Sequence, residues 1–308
     1  MKLKLSAIFL GISLAYSAVP AVAAESISIS QTGVTVNSND AYVEQTGNID
    51  SSIVITQAGA NRIGVSATST PGVQQQNNVN ASIVIHQIDK ASANVKQVGV
   101  DNSSVVVNQE GRLLSANIEQ TDSSNSLITL TQGGARQTAN LQQDFVIDAK
   151  QRVTQVGDSN TGKVVQTNST RVSAELLQDF GLGEALLIQN RVADSTLFAS
   201  QIGGSNRIFA TQSNGAHLSG NITQAGTDHL ANLTQSGSYS TATVKQTGSW
   251  NDATIIQSGH SNLASITQSG SGVDFGTRNI ALIDQLGSNL STTLSQTGAA
   301  QLVNIKQR

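Results

Sequence analysis

Between Gln224 and Gln268 apolar and polar positions alternate in short runs, each closed by a glutamine and a glycine. The runs Ala-Asn-Leu-Thr-Gln, Ala-Thr-Val-Lys-Gln, Ala-Thr-Ile-Ile-Gln and Ala-Ser-Ile-Thr-Gln each lead into Ser-Gly or Thr-Gly. Side chains two apart share one face of a strand, so Asn262, Ala264, Ile266 and Gln268 line one face and Leu263, Ser265 and Thr267 the other. In the preceding unit the same face carries Asn251, Ala253, Ile255 and Gln257. Gly203, Gly226, Gly237, Gly248, Gly259 and Gly270 each follow a glutamine by two positions. A chain reversal there needs backbone angles that glycine adopts cheaply.

The unit repeats over nearly the whole chain. From Gln97 to Gln268 the steps between successive repeat glutamines are 11 or 12 residues; after one step of 17 the series continues at Gln285, Gln296 and Gln307, and a looser version runs through Gln31, Gln45 and Gln57. An 11-residue period also suits a right-handed coiled coil. Glycine, serine, threonine, asparagine and β-branched residues in every period disfavour a helix, whereas a strand of about five residues plus a turn fits. Steps alternating between 11 and 12 pair into coils of about 22 to 23 residues, one strand in each of two facing sheets. The predicted fold is therefore all-β, a flat two-sheet β-solenoid of strand-turn units. In it Gln235 stacks next to Gln257, and Gln224 next to Gln246 and then Gln268, with coils about 4.8 Å apart. Gln201, Gln212, Gln285 and Gln296 join these inward columns, with Asn251, Asn262, Ile255 and Ile266 on the same face. Each carboxamide donates to one neighbour and accepts from the other, which removes the cost of burying it.

The first 24 residues read as a secretory signal peptide. Lys2 and Lys4 form a positive start, Leu5 to Ala15 an apolar stretch, and Ala21-Val22-Ala23-Ala24 a small-residue cleavage zone. The mature chain then begins at Glu25 and contains no later segment apolar enough to span a bilayer. Residues 25–65 form an N-terminal repeat-like segment. Residues 66–80, with Pro71-Gly72 and the tract Gln74-Gln75-Gln76, read as a surface excursion. The array proper covers 81–308, interrupted at 271–278.

Composition narrows the function. Of 308 residues 30 are Gln and 25 Asn, while only 12% are charged, 3% are aromatic and none is cysteine. Disulfides and cysteine-based zinc sites are excluded. A net charge of −3 without a basic run gives no footprint for nucleic acid. No nucleophile elbow, phosphate loop or His-Glu-x-x-His occurs, and neither a cofactor nor catalysis is predicted. His217 and His229 each lie five residues after a repeat glutamine, a slot otherwise held by asparagine, and read as its substitutes; His260 falls in a turn and His86 beside Gln87. Asp101, Asp158, Asp228 and Asp252 are placed in turns that follow repeat glutamines, where their charge should slow association. The outward residues Thr234, Lys245, Ile256 and Thr267 lack the regular threonine pairs of an ice-binding face, and Asp228, Asp252 and Asp284 fall at scattered phases rather than in the cluster a polysaccharide-degrading β-helix needs. A monomeric secreted β-solenoid adhesin or surface-binding protein is the alternative to a self-assembling one.

The run Gln257-Ser-Gly259-His-Ser-Asn262-Leu-Ala264-Ser-Ile-Thr-Gln268 resembles the curlin repeat, Gln-x-Gly-x-x-Asn-x-Ala-x-x-x-Gln. Gln246, Gly248, Asn251, Ala253 and Gln257 match it in full. Gln155, Gly157, Asn160 and Gln166 match with Gly162 for alanine, Gln201, Gly203, Asn206 and Gln212 with Ile208 for alanine, and Gln235, Gly237, Ala242 and Gln246 with Ser240 for asparagine. The resemblance implies a secreted subunit of curli, the extracellular amyloid fibres of Gram-negative bacteria that adhere to surfaces and build biofilm matrix. It further implies a homopolymer joined by other curli subunits, Sec export, a dedicated outer-membrane channel and a periplasmic chaperone. Two departures are plain. Gln31-Thr-Gly33 brings repeat-like sequence close to Glu25, where family members carry a non-repetitive targeting segment, and the array is longer than usual. The end, Asn304-Ile-Lys306-Gln307-Arg308, is similar to the basic finish of the minor, nucleating type of subunit.

Overall fold

A computed structural model describes residues 2–6, 25–32, 39–59, 61–63, 72–272 and 274–308. Residues 7–24, which hold the rest of the apolar stretch and the cleavage zone of the predicted signal peptide, lie outside these residues. The chain divides into two compact units, Met1–Arg152 and Val153–Arg308. Both are β-solenoids, as the repeat predicts, and no α-helix occurs among the described residues. No helix among them is long and apolar enough to cross a membrane.

In the second unit each strand pairs in parallel with the strand after next. Leu230–Ser238 pairs with Asn251–His260, and Thr241–Ser249 with Leu263–Ser271, every register placing alanine on alanine, glutamine on glutamine and glycine on glycine. Consecutive strands thus lie in opposite sheets, and two make a coil. Burial alternates strictly along Thr241–Ser249, with Ala242, Val244 and Gln246 inside. Alternation of this kind selects the register, because a slip by one residue would turn every apolar side chain outward. The sheets approach closely: a methyl group on Gly220 would lie 2.8 Å from Leu197 of its own sheet and 2.7 Å from Leu233 of the facing one.

The first unit follows the same plan. Ser82–Val98 and Ser104–Thr121 each run through a whole coil and pair along their full length, with a register shift between Lys90 and Ala91 where the chain rounds the corner. Ser26–Thr32 pairs with Ser52–Ala58, which pairs with Ser82–Val98. Lys2–Ser6 is the exception in direction, running antiparallel to Asn39–Thr46.

One boundary read from the sequence moves. Val73–Gln76, assigned above to the excursion 66–80, is a strand paired with Asn39–Thr46 on one side and Ser82–Val98 on the other. The middle glutamine of the tract, Gln75, points inward; Gln74 is half-exposed. The array therefore resumes at Val73. The other interruption contains a short 3-10 turn, Phe275–Thr277, whose first turn is capped by Asp274 through bonds from the backbone N–H groups of Gly276 and Thr277.

Candidate functional site

The side chains that distinguish this solenoid from an ordinary apolar core are its buried amides. In one column of the second unit Gln201 donates to Gln224 (3.1 Å), Gln224 to Gln246 (2.8 Å), Gln246 to Gln268 (2.9 Å) and Gln268 to Gln296 (2.7 Å). In the facing sheet Gln212 donates to Gln235 (2.9 Å), Gln235 to Gln257 (2.9 Å), Gln257 to Gln285 (3.0 Å) and Gln285 to Gln307 (2.8 Å). The predicted neighbours stand where the repeat placed them. Ile255 and Ile266 are fully buried beside these columns.

A ladder uses only one of the two amide hydrogens. The second crosses the core to the backbone at the start of a strand in the other sheet: Gln257 donates to the Thr241 carbonyl (3.1 Å) and Gln268 to that of Asp252 (3.0 Å). This bond was not foreseen from spacing, which carries no information about the facing sheet. It fastens the two sheets together and completes the donors of each amide, a group that costs roughly 1 to 3 kcal/mol when buried unsatisfied.

The first unit has equivalent columns. Gln31 donates to Gln57 (2.7 Å), Gln57 to Gln87 (2.9 Å), Gln87 to Gln109 (2.7 Å) and Gln109 to Gln132 (2.7 Å). Opposite them Gln45 donates to Gln75 (2.6 Å), Gln75 to Gln97 (2.8 Å) and Gln97 to Gln120 (2.7 Å). Gln75 was legible: it lies 22 residues before Gln97, one coil.

A second amide column runs along a turn. Asn251 donates to the carbonyls of Thr247 (2.9 Å) and Gly270 (3.4 Å), and its Oδ1 accepts from Asn279 Nδ2 (2.8 Å). At the opposite turn Asn262 donates to Ser258 (3.1 Å) and Gly287 (3.0 Å) and accepts from the backbone of Leu290 (3.0 Å). Ser240 stands in for asparagine one coil earlier, its hydroxyl accepting from Asn262 N (3.2 Å). Asn206 and Asn279 belong to the same turn column as Asn251.

His229 is buried in the asparagine slot, as the spacing suggested. His217 is not: it is exposed and stacks on Tyr239 with ring centroids 4.5 Å apart, while Leu218 points inward. The cause is the extra residue Asn214, which displaces glycine to position 215 and produces a register shift between Ser213 and Gly215. His260 meets Tyr239 edge-on at 5.1 Å. Asp252 also departs from its sequence placement. It is the second residue of the strand Asn251–His260, half-buried on the outward face and paired with Arg278 at 2.7 Å.

The six turn glycines differ in what they require. Gly203, Gly226, Gly237, Gly248 and Gly259 have positive φ, Gly259 at 113°. Gly270 does not, yet a Cβ there would sit 1.6 Å from the Gly298 carbonyl oxygen. Close approach of stacked backbones, as much as φ, selects glycine in this column.

No group of metal-ligating side chains is found among the described residues. What fold and site together define is a structural repeat protein, a β-solenoid whose coils are joined by stacked amides. The family model of the curlin associated repeat matches residues 215–248 and 240–270. None of the curated proteins compared matches it.

Proposed function

We propose that the chain, after removal of residues 1–24, is exported and assembles end to end into an extracellular amyloid-type fibre of the curli kind, serving adhesion and biofilm matrix. The observation that carries this reading is the state of the end coils. Ile27, Ile29 and Gln31 occupy the inward phase that is buried elsewhere but are half-exposed, and so are Val303, Ile305 and Gln307 at the other end. Gln31 Oε1 is buried and accepts no hydrogen bond among the described residues. Among the described residues Ser26–Thr32 pairs in register only with Ser52–Ala58, and Leu302–Gln307 only with Asn279–Ser288. Solenoids that act as monomers close their ends with polar caps, and an open strand edge templates another chain.

Removal of the leader would also take away Lys2–Ser6, the strand that covers one edge of Asn39–Thr46. Cleavage would thereby open the second sheet at the same end. Export through a dedicated outer-membrane channel, with a periplasmic chaperone and other curli subunits as partners, follows from the repeat resemblance. At the basic end, whose sequence is similar to the finish of the nucleating type of subunit, Arg308 donates to Asp284 Oδ2 (2.9 Å).

The test is to dilute residues 25–308 from denaturant. The expected result is a β-rich circular dichroism spectrum, thioflavin-binding fibres in negative stain, and diffraction near 4.7 and 10 Å, to about the spacings of stacked strands and sheets. A soluble monomer that unfolds cooperatively and never forms fibres would support the monomeric adhesin instead.

A further inference from the structure

The interruption at 271–278 builds something. A cavity of about 440 Å³ opens on the outer surface of the second unit, bounded by Phe275 and Arg278 of that segment. Its floor is the first outward position of four neighbouring strands of one sheet, Glu184, Arg207, Leu230 and Asp252, paired in register from coil to coil. Its side is the turn column Leu182, Ser205, Asp228 and Trp250. The groove runs along the solenoid axis and spans three coil spacings, about 14 Å at about 4.8 Å each.

Its lining is chemically mixed and fixed in place. Arg278 pairs with Asp252 (2.7 Å) and its guanidinium lies over the Phe275 ring, 3.8 Å from the centroid. Of the remaining charged groups, Glu184 and Asp228 carry negative charge and Arg207 positive. Burial keeps His229, beneath them, below its ordinary imidazole value and so uncharged at neutral pH. The near balance of sign offers no field for a polyanion or polycation. Carboxylates and guanidiniums on the floor instead suit a ligand dense in hydroxyl groups, and aromatic rings at the end suit a ligand with flat C–H faces.

We propose that this groove binds an uncharged, extended β-linked glycan chain, lying along the axis with successive pyranose units over successive coils and one ring stacked at Trp250 and Phe275. The rise per sugar in such a chain is close to the coil spacing of about 4.8 Å, so each pyranose meets the outward side chains of one coil. Little ordering accompanies binding, because the Asp252–Arg278–Phe275 arrangement is already held. The site belongs to a single chain and does not depend on assembly.

Trp250 is the only tryptophan in the sequence, so its emission reports this groove alone. Freshly purified full chain is titrated with cellohexaose and chitohexaose, and with oligogalacturonate as the acidic comparator. The expected result is a saturable emission change with at least one neutral hexasaccharide and none with the uronate. Phe275→Ala and Arg278→Ala should each weaken the apparent affinity at least about tenfold, the loss of one good contact, with unchanged circular dichroism. Tyr239→Ala, an exposed aromatic at the opposite turn, should leave it unchanged. No response to either neutral sugar, a response only to the uronate, or equal affinity for Phe275→Ala and parent would overturn the proposal. Thioflavin assays on the same samples keep the two readings apart: fibres without sugar binding would sink only this inference, and sugar binding without fibres only the fibre assignment.

Discussion

His229 stands between Asn206 and Asn251 and performs both halves of an asparagine's work: its backbone N–H donates to Asn206 Oδ1 (3.1 Å), and its Nδ1 accepts the backbone N–H of Asn251 (3.3 Å). Since Nδ1 accepts, the proton resides on Nε2, which faces the Ala225 carbonyl at 3.3 Å. Only the neutral ring fits this slot.

A pH dependence follows. Burial, the largest influence, lowers the His229 pKa from 6.5; bonds to the Ala225 and Gly248 backbone and the nearby Asp228 oppose it. The unfolded chain therefore takes up the proton first. The stability from this site is full above pH 6.5 and falls as pH drops below it. His229→Asn should remove this acid sensitivity while keeping the column intact. Denaturant midpoints at about pH 7.5 and 5.5, compared between parent and variant, measure it.

The ladder is tested by Gln257→Ala, which strands the Gln235 donor and the Gln285 acceptor and leaves the Thr241 carbonyl without its partner. A loss on the order of 1 to 3 kcal/mol per unsatisfied group, plus a cavity term, is expected. Gln75→Ala should behave alike. Gln74→Ala, one position away but outward, should change the midpoint by less than about 0.5 kcal/mol. Equal effects at Gln74 and Gln75 would contradict the register.

Asn262→Ala should cost as much as a ladder glutamine, on the order of 2 to 4 kcal/mol, because three backbone partners lose their bond in a site closed to water. Urea dissolution of each variant against Gln257→Ala decides the ranking.

Two glycines separate conformation from composition. At Gly259 a Cβ would meet the Gly287 carbonyl oxygen at 1.9 Å with φ at 113°, whereas at Gly133 nothing lies within 4 Å. Gly259→Ala should destabilise by more than about 2 kcal/mol, and Gly133→Ala should be neutral or stabilise by about 0.4 to 1 kcal/mol. Thermal melts of the two variants provide the comparison.

Period and phase determined most of this protein. The strand-turn unit, the pairing of two units into a coil, the inward face of Ala253, Ile255 and Gln257 and the contact of Gln235 with Gln257 all follow from spacing, because a parallel stack puts equivalent residues one coil apart and strand side chains alternate. Tertiary structure decided what spacing cannot carry. Whether the second amide hydrogen of Gln257 reaches Thr241 depends on how near the facing sheet stands. One inserted residue, Asn214, sent His217 outward and Leu218 inward, since backbone registration in the sheet outranks the count from the last glutamine. The groove beside Trp250 exists because a six-residue insertion folds back so that Arg278 reaches Asp252. Repetition writes local structure and register into the sequence; departures from repetition take their meaning from the neighbours they meet in space.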